Sequence, residues 1–529
     1  MKRTSTTTAA QFRLVLLLFL VFLAYVPSLS GGFLNFDDPW MVSENALYLK
    51  PSLAGLWDTW TDFGEQTRLL LGAEYLPLRD TSVWIEAQVY GLNPQLMRAT
   101  NLAIYLVAIA TMTHAMRRTL GNNWRTDFLV ALFALHPIHA ESVAWITGRK
   151  DVLGLLFFGL ALLVHAGKSR HRKVLVPLLV AGAQLSKVLF VVTVAIFVLQ
   201  DLLAKRSLVE KRQYQVYART AVVSLAIVFW QWSVSQSVGM TWDPPGGSRL
   251  HAAMTMGPVW LRYLQALFFP SNLSIVQEVA SLTRWSLPSI VGVTVVLFGL
   301  VGALYVWRKH ANARFFVAWG WFFLPLVPVS QLVVFVQHSM ADRYLLISVM
   351  GGCIFIHLLL EEHRRFAPIL AGVLCATLWA TTMHRALLFS DNILIFQDAV
   401  AKTEHDALAP YQLGMAWEAE KNDEAAISSY AVALERDHNN SESARRATNN
   451  IAKLLARRGD LTGAEHYLRE GQPRWPSDPK LFGNLAEVVR RQPAKRAEAL
   501  MLYRQLVTKF PHYKPGLQRF NAYFPHVAR

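Results

Sequence analysis

The stretch that decides the fold covers residues 289–307, reads SIVGVTVVLFGLVGALYVW, and is followed directly by Arg308 and Lys309. A helix of about 20 apolar residues is long enough to cross a bilayer. The whole chain shares this character, since 53% of its 529 residues are hydrophobic and 12% are aromatic. We therefore predict an all-α protein built on a polytopic membrane helical bundle rather than a soluble globular domain.

Ten further apolar runs precede or follow this stretch, which gives eleven predicted membrane helices. The first follows a basic N-terminal segment and resembles a signal peptide, but no small-x-small cleavage site follows it, so we predict an uncleaved helix. Several runs are shorter than the length that crosses a bilayer at normal incidence. The ten runs cover residues 14–26, 99–116, 128–135, 152–166, 174–185, 189–203, 221–238, 315–336, 345–360 and 367–383.

The basic residues predict the topology. The formal net charge is +16, but the cations form five short clusters between apolar runs, which is typical of membrane loops and excludes a nucleic-acid-binding face. With eleven crossings, all five lie on the side of the N-terminus, which the positive-inside rule assigns to the cytoplasm. This count requires the chain to turn back near Ser186 and Lys187. The clusters are Arg117, Arg118 and Arg125; Lys168, Arg170, Arg172 and Lys173; Lys205, Arg206, Lys211, Arg212 and Arg219; Arg308, Lys309 and Arg314; and Arg364 and Arg365.

The chain divides into residues 1–390, the predicted membrane domain, and residues 399–529, where hydropathy falls and a new repeat begins. Small and large residues recur in this region as in tetratricopeptide (TPR) helix pairs, so we predict a TPR α-solenoid of about three repeats. The pairs Trp475-Pro476 and Phe510-Pro511 end two of the repeats. The pattern consists of Leu413, Gly414, Trp417, Ala426, Tyr430 and Ala433; then Ile451, Ala452, Leu455, Ala464 and Leu468; then Ala486, Ala499 and Tyr503.

The same topology places five loops and the TPR region outside the cytoplasm. The loops cover residues 31–98, 136–151, 186–187, 239–288 and 337–344. The first begins with Asn35-Phe36-Asp37-Asp38, in which one carboxylate could act as a general base towards an acceptor hydroxyl. The alternative is that Asp38 only starts a turn, because Asp before Pro is common turn chemistry.

The second loop concentrates ionisable residues in HPIHAESVAWITGRKD, residues 136–151. Arg149 and Lys150 can donate to a phosphate or diphosphate, with Glu141 and Asp151 orienting them. The histidines, His136 and His139, form an HxH pattern that could bind a divalent metal with a glutamate. No third ligand follows at a recognisable spacing, so no metal site or cofactor is assigned. Part of the charge can also hold helix ends at the lipid headgroups.

The last short loop contains Ala341-Asp342-Arg343-Tyr344. An arginine beside an aromatic ring at the top of the bundle suits the phosphate of a lipid carrier. The alternative is a salt bridge between Arg343 and Asp342, with Tyr344 in the interfacial aromatic belt. The two cysteines, Cys353 and Cys375, lie in apolar stretches and are predicted to be packing residues.

Taken together, Phe36-Asp37-Asp38, Asn101, the 136–151 string, Asp342-Arg343-Tyr344 and the TPR-like region resemble the transmembrane-and-TPR O-mannosyltransferases and their bacterial relatives. The resemblance spans nearly the whole chain. It implies a GT-C fold and a polyprenyl-phosphate sugar as donor, with mannose as the candidate sugar. It also implies Asp37 as the base, Asp38 as its neighbour and Arg343 as a ligand of the lipid phosphate.

The chain departs from that family's pattern at three places. Tyr75-Leu76-Pro77-Leu78 stands where the family tends to have Tyr-Arg-Pro-Leu, and Arg79 follows three positions later. Lys187 is followed by valine rather than glutamate, and Tyr105 stands where a histidine is expected after Asn101.

These residues lead to one principal hypothesis, an inverting glycosyltransferase that moves sugar from a polyprenyl phosphate to a hydroxyl of an extracytoplasmic protein or glycan. Asp37 and Asp38 form the catalytic pair, and the phosphate ligands are Arg343, Lys187, Arg149 and Lys150. The remaining pocket is assigned to His136, His139, Glu141, Asp151, Asp342, Tyr344 and Arg79.

Three alternatives remain open: an oligosaccharyltransferase of the same fold, a membrane-anchored TPR scaffold without activity, and a transporter. The predicted partners are the lipid-linked sugar, an acceptor chain in the TPR groove and membrane lipids, with no nucleic acid. We expect a multi-pass protein of the bacterial inner membrane with its N-terminus in the cytoplasm and its TPR region in the periplasm.

Overall fold

A computed structural model describes residues 2–239, 242–362 and 367–525 of the chain. Within these residues every regular element is helical and no strand occurs. The chain forms two compact units, Met1–Asp391 and Asn392–Arg529. The predicted all-α class, with an apolar helical bundle followed by a helical solenoid, is confirmed.

The first unit begins with helices that include both long apolar spans and short amphipathic pieces. The short helices α2 to α5 build the first predicted external loop, and α8 lies inside the 136–151 string. The bounds are α1 (Lys2–Tyr25), α2 (Ala46–Leu49), α3 (Leu53–Thr61), α4 (Glu65–Leu70), α5 (Pro77–Val89), α6 (Pro94–Leu120), α7 (Trp124–Ala134), α8 (Ala140–Ala144), α9 (Arg149–Ala166), α10 (Arg172–Ser186) and α11 (Thr193–Leu203).

The remaining helices of this unit are α12 (Lys211–Ser237), α13 (Arg249–Phe268), α14 (Leu287–His310), α15 (Arg314–Phe323), α16 (Val349–Glu362) and α17 (Ala367–Leu388). Each of the eleven predicted apolar runs overlaps one of these helices, but the run 315–336 continues beyond α15 and the 3-10 segment Leu324–Val329 into residues without helical structure. The prediction of loop for residues 239–288 is wrong in part, because α13 lies inside it. Its apolar pattern is diluted by Arg249, His251 and Arg262 and interrupted by Pro258.

Four described helices are long and apolar enough to cross a membrane: Thr8–Ser30, Pro94–Leu120, Leu287–His310 and Ala367–Leu388. Only 17% of the most apolar window of Leu287–His310 is buried within the protein, and Phe298 is 74% exposed. A continuous apolar surface of this kind needs lipid rather than water around it. Shorter apolar helices occur at Val188–Leu203, Arg314–Val329 and Val349–Glu361. The count of eleven crossings stays a prediction.

Contacts at the two ends of α9 show that the chain reverses between α10 and α11. At the start of α9, the Lys187 ammonium donates to Asp151. At the other end, the first residue of α10, Arg172, donates to the carbonyl of His165 at 3.1 Å. Near the end of α11, Asp201 lies 2.9 Å from Nε2 of His165. The helices α10 and α11 therefore run in opposite directions, which confirms the predicted turn at Lys187.

Three of the five basic clusters lie together at the C-terminal end of α9. Arg118 donates to the carbonyl of Leu163 at 3.0 Å, and Arg206 donates to the carbonyl of Ala166 at 2.9 Å. If these three clusters lie on the same side of the membrane, they must lie at the same end of the bundle, and they do. The assignment of that side to the cytoplasm stays a prediction. Arg364 and Arg365 lie outside the described residues.

The second unit consists of antiparallel helix pairs with a hydrophobic core of its own. The predicted repeat residues lie on these pairs, for example Gly414 on α19 facing the ring of Tyr430 on α20. The unit starts at Asn392, so the predicted start at residue 399 falls inside its first helix. Its helices are α18 (Asn392–Lys402), α19 (Leu408–Ala419), α20 (Asp423–Arg436), α21 (Glu442–Arg457), α22 (Leu461–Arg474), α23 (Pro479–Arg490), α24 (Arg496–Lys509) and α25 (Lys514–Tyr523).

Candidate active site

The two predicted catalytic aspartates have different surroundings. Asp38 is fully buried, and its carboxylate accepts the backbone N–H of Leu34 at 2.9 Å and that of Thr147 at 3.1 Å. The hydroxyl of Thr147 donates to the same carboxylate. Burial raises the pKa of Asp38 to about 6, although these hydrogen bonds oppose the rise. Asp38 therefore connects the first external loop to the 136–151 string and has little room for a substrate.

Asp37 is only partly buried. It accepts a side-chain hydrogen bond from Trp40, and it forms no ion pair within the described part of the chain. Burial raises its pKa above the ordinary value, while the charges of Arg343 and Lys150 oppose the rise. Asp37 is thus a carboxylate that remains available for a proton while two cations lie within electrostatic reach.

Arg343 is positioned by Glu141, a buried residue of α8. One oxygen of Glu141 accepts Nη1–H of Arg343, and the other accepts its backbone N–H at 3.0 Å. The guanidinium also lies 5.7 Å from the ring centroids of both Trp145 and Tyr344. Its Nε and Nη2 donate to no described residue, and the side chain is 14% exposed. These two nitrogens can donate to a bound anion.

Two lysines complete a cluster of cations with Arg343. The Lys150 ammonium donates to Glu74 at 2.9 Å, and the Lys187 ammonium donates to Asp151. An ammonium has three N–H donors, and each lysine uses one of them on a described side chain. Lys187 lies within electrostatic reach of both Lys150 and Arg343. We call Lys150, Lys187 and Arg343 the cation cluster.

The structure brings two further residues to this cluster that the sequence analysis did not single out. Glu74 bridges Lys150 and Arg79, and their charges outweigh burial and lower its pKa to about 2. His338 lies in the same short loop as Arg343. Burial, followed by the charges of Arg343 and Lys150, lowers its pKa to about 4, so this imidazole is neutral at pH 7.

Arg149 points away from the cluster, although Lys150 beside it contributes. Its guanidinium is 2% exposed and donates to Asn101, to Glu86 at 2.7 Å and to the carbonyl of Met97 at 3.1 Å. These donors hold α5 and α6 against the start of α9. Arg149 therefore has a structural role in helix packing, and we no longer count it among the candidate phosphate ligands.

The histidines of the string are buried in the helix bundle. His136 accepts the backbone N–H of Ile138 at 3.3 Å, and its Nε2 lies 3.0 Å from the carbonyl of Leu267. His139 packs against the ring of Phe133 at 4.6 Å between centroids. Burial lowers the pKa of His136 to about 4 and that of His139 to about 3. Both imidazoles are therefore neutral at pH 7 and add no charge to the cation cluster. Among the described residues, no group of three His, Cys, Asp or Glu side chains is suited to a metal ion.

Two other predicted pocket residues, Asp342 and Arg79, form hydrogen bonds to residues around the cation cluster. Asp342 accepts the backbone N–H of Ser274 at 2.9 Å and the Gln277 amide at 2.8 Å, so it fixes the chain that follows α13 instead of pairing with Arg343. Burial, together with the charge of Glu141, raises its pKa to about 7. Arg79 is 3% exposed and donates to Glu74 at 3.0 Å, which positions that carboxylate.

Arg98 was also missed by the sequence analysis. Its guanidinium is buried and donates to the carbonyls of Ala144 and, at 2.6 Å, Gly32. It therefore joins the first loop to the 136–151 string, as Asp38 does. The only sequence signal was a cation at the edge of an apolar run, which is also common for residues at the membrane surface.

The arrangement can accept one proton and hold one anion. A carboxylate with a raised pKa can take a proton from a hydroxyl, and three cations held by carboxylates can stabilise charge on a departing phosphate. The supporting carboxylates orient the cations and leave donors unused.

The chain was also compared with known proteins. No family model and no solved structure matches it. It is 24% identical over 419 residues to "Protein O-mannosyl-transferase F38B6.6" of Caenorhabditis elegans, an alignment that covers 75% of this chain and 59% of the relative. It is 24% identical over 507 residues to "Protein O-mannosyl-transferase TMTC3" of Mus musculus, covering 83% of this chain and 54% of the relative.

A shorter alignment is closer in sequence. The chain is 33% identical over 150 residues to "Protein O-mannosyl-transferase TMTC1" of Homo sapiens, covering 27% of this chain and 16% of that relative. The chain thus spans little more than half the length of the long-aligned relatives. The chain is therefore similar over most of its length to proteins named as protein O-mannosyl-transferases.

Proposed function

We propose that this chain is a membrane glycosyltransferase that moves a sugar from a polyprenyl-phosphate donor to a hydroxyl group of a protein. The observation that carries the proposal is Asp37, a carboxylate without an ion pair among the described residues, within electrostatic reach of the cation cluster. The relatives' names support protein as the acceptor and mannose as the sugar.

In the proposed reaction, Asp37 accepts the proton of a serine or threonine hydroxyl. The hydroxyl oxygen forms a bond to the anomeric carbon of the sugar, and the bond from that carbon to the phosphate oxygen breaks. The electron pair leaves with the polyprenyl phosphate, whose added charge faces Arg343, Lys150 and Lys187. Direct displacement inverts the anomeric configuration, as expected for a GT-C enzyme.

The cation cluster supports a lipid phosphate for a second reason. Arg343 lies in a 3-10 turn, Asp342–Leu345, that is separated by three residues from the start of the apolar helix Val349–Glu361. A donor whose phosphate sits at the end of a membrane helix can keep its isoprenoid chain in the hydrocarbon. The C-terminal helix pairs, which we propose to be TPR units, fit recruitment of the acceptor.

The test is transfer by the purified chain in lipid nanodiscs. Polyprenyl-phosphate mannose and a serine- and threonine-rich peptide are incubated with the protein, and the peptide is analysed by mass spectrometry. The proposal expects one hexose on the peptide, and NMR of the product should show the inverted anomer. Transfer from a nucleotide sugar alone, or transfer of an oligosaccharide in one step, would contradict it.

A further inference from the structure

A groove on the C-terminal unit carries a second inference, which goes beyond sugar transfer. The groove has a volume of about 760 Å³ and is formed by residues from α19, α21, α23 and α25. Alternate helices of the solenoid thus contribute to one continuous surface. We infer that this groove binds an extended acidic segment of a polypeptide.

The lining repeats from one helix pair to the next. On α21 the groove contains Arg445 and Asn449, and on α23 the residues 35 positions later are Lys480 and Asn484. The spacing of four within each helix places both members on one face. The Asn484 amide donates to Oδ1 of Asn449 at 2.8 Å, so the asparagines form a row across the two helices.

The row, together with Asn450 beside it in the groove, offers hydrogen bonds that a peptide backbone can use. Asn450 donates to the hydroxyl of Tyr430 at 3.0 Å, and its Oδ1 accepts from no residue that the structure describes. Oδ1 of Asn484 is likewise without a described donor. An amide side chain both donates and accepts, which matches the alternating N–H and C=O groups of an extended chain. Recognition of this kind requires no particular side chain in the ligand.

The charge of the lining selects the kind of segment. Seven lysines and arginines line the groove against one acid, Glu487. Four of these cations are already paired: Arg445 and Arg446 with Glu442 of their own helix, and Lys453 and Arg457 with acids of α19 and α20. Within the described ranges, Lys480, Arg491 and Arg519 form no ion pair. Lys480 and Arg491 are exposed. A ligand with carboxylates at intervals would complete their pairing.

A nucleic acid fits this lining less well. Proteins that hold single strands without sequence preference stack bases on aromatic rings. Tyr411 is the one aromatic residue that lines the groove, among the residues the structure describes. Amides on successive helices suit a backbone of peptide groups instead, so a peptide is the occupant to which the inference commits.

The length of the segment follows from helix spacing. Helices that pack side by side lie about 9 Å apart. At that spacing, a groove across α19, α21, α23 and α25 extends roughly 27 Å. An extended chain covers about 3.4 Å per residue, which corresponds to about eight residues.

The experiment uses the full chain in detergent micelles without a sugar donor, so that failure of transfer and failure of binding are separate results. The probe is a fluorescein-labelled peptide of alternating glutamate and serine, about ten residues long. A peptide with glutamine in place of glutamate and a single-stranded oligonucleotide of similar length are the comparison probes. Fluorescence anisotropy gives the affinity at low and high salt.

We expect the acidic peptide to bind more tightly than the glutamine peptide, and salt to remove the difference. The double variant Lys480→Gln and Arg491→Gln should weaken acidic-peptide binding about tenfold. Asn484→Ala should weaken both peptides about tenfold, because it removes a backbone contact. The matched control is Arg504→Gln, an exposed arginine of α24 outside the groove, which should leave binding unchanged.

Several results would overturn the inference. They are equal binding of the acidic and glutamine peptides, no binding of either, or an Arg504→Gln effect as large as that of the double variant. Tighter binding of the oligonucleotide, unaffected by Asn484→Ala, would also reject a peptide groove. Arg343→Ala is measured in parallel, and a loss of peptide binding in that variant would move the binding site to the cation cluster and reject the groove.

Discussion

Glu141 offers a test of how the cation cluster is positioned. The Glu141→Gln variant keeps the shape of the side chain but removes its charge and one of the two oxygens that accept from Arg343. A hydrogen bond to a charged group contributes about 1.5–3 kcal/mol, so loss of one bond should lower kcat/KM for the donor by about 10- to 150-fold. Because Glu141 acts through Arg343, we expect a rise in the donor KM while the KM for the acceptor peptide stays near its original value.

The matched control is Glu86→Gln. Glu86 forms the same kind of buried pair, with Arg149 at 2.7 Å, but this pair lies outside the cation cluster. Both variants should lower the thermal unfolding midpoint, and only Glu141→Gln should change the donor KM. Steady-state transfer with varied donor and acceptor gives both constants. An unchanged donor KM in Glu141→Gln, or an equal rise in Glu86→Gln, would refute the positioning role.

Three further predictions concern pH, topology and stability. The raised pKa of Asp342, about 7, means that the folded state holds this proton more tightly than the unfolded state, so stability falls as pH rises towards 7. Thermal melts of wild type should show this loss, and Asp342→Asn should reduce it. Reporter fusions after residues 120, 170, 210 and 310 should share one side of the membrane, and a fusion after residue 529 should report the opposite side. Thr147→Val removes the hydroxyl donor to buried Asp38 and should destabilise the protein by about 1–3 kcal/mol in denaturant titrations; a variant as stable as wild type would show that this bond is dispensable.

Features that depend on the local pattern of residues, such as helices and turns, could be predicted from the sequence. Apolar runs identified helices because each must bury its surface in protein or lipid, and the turn at Lys187 followed from the sides of the basic clusters. The helix Arg249–Phe268 was missed because charged residues and Pro258 disturb its apolar pattern. The small and large residues of the C-terminal region identified its helix pairs, although its first helix, Asn392–Lys402, precedes the recognisable repeat.

Contacts between distant residues could not be read from local pattern. Asp37 and Asp38 are neighbours in sequence, and their different surroundings depend on Thr147, which is 109 positions from Asp38. Arg149 and Lys150 are likewise adjacent, yet they point to different partners because they lie on different faces of α9. Glu74 gave no signal because its role depends on Lys150 across the fold.

In the proposed reaction, Asp37 accepts the proton of the acceptor hydroxyl. The most direct measurement is the single-turnover rate of sugar transfer by purified Asp37→Asn, at donor and acceptor concentrations that saturate the wild type, after normal folding and membrane levels have been verified. A positioned general base contributes about 10²- to 10⁴-fold, and we expect the rate to fall by that factor. In folded protein, Asp38→Asn should retain more activity. Transfer by Asp37→Asn at the parent rate would contradict the account.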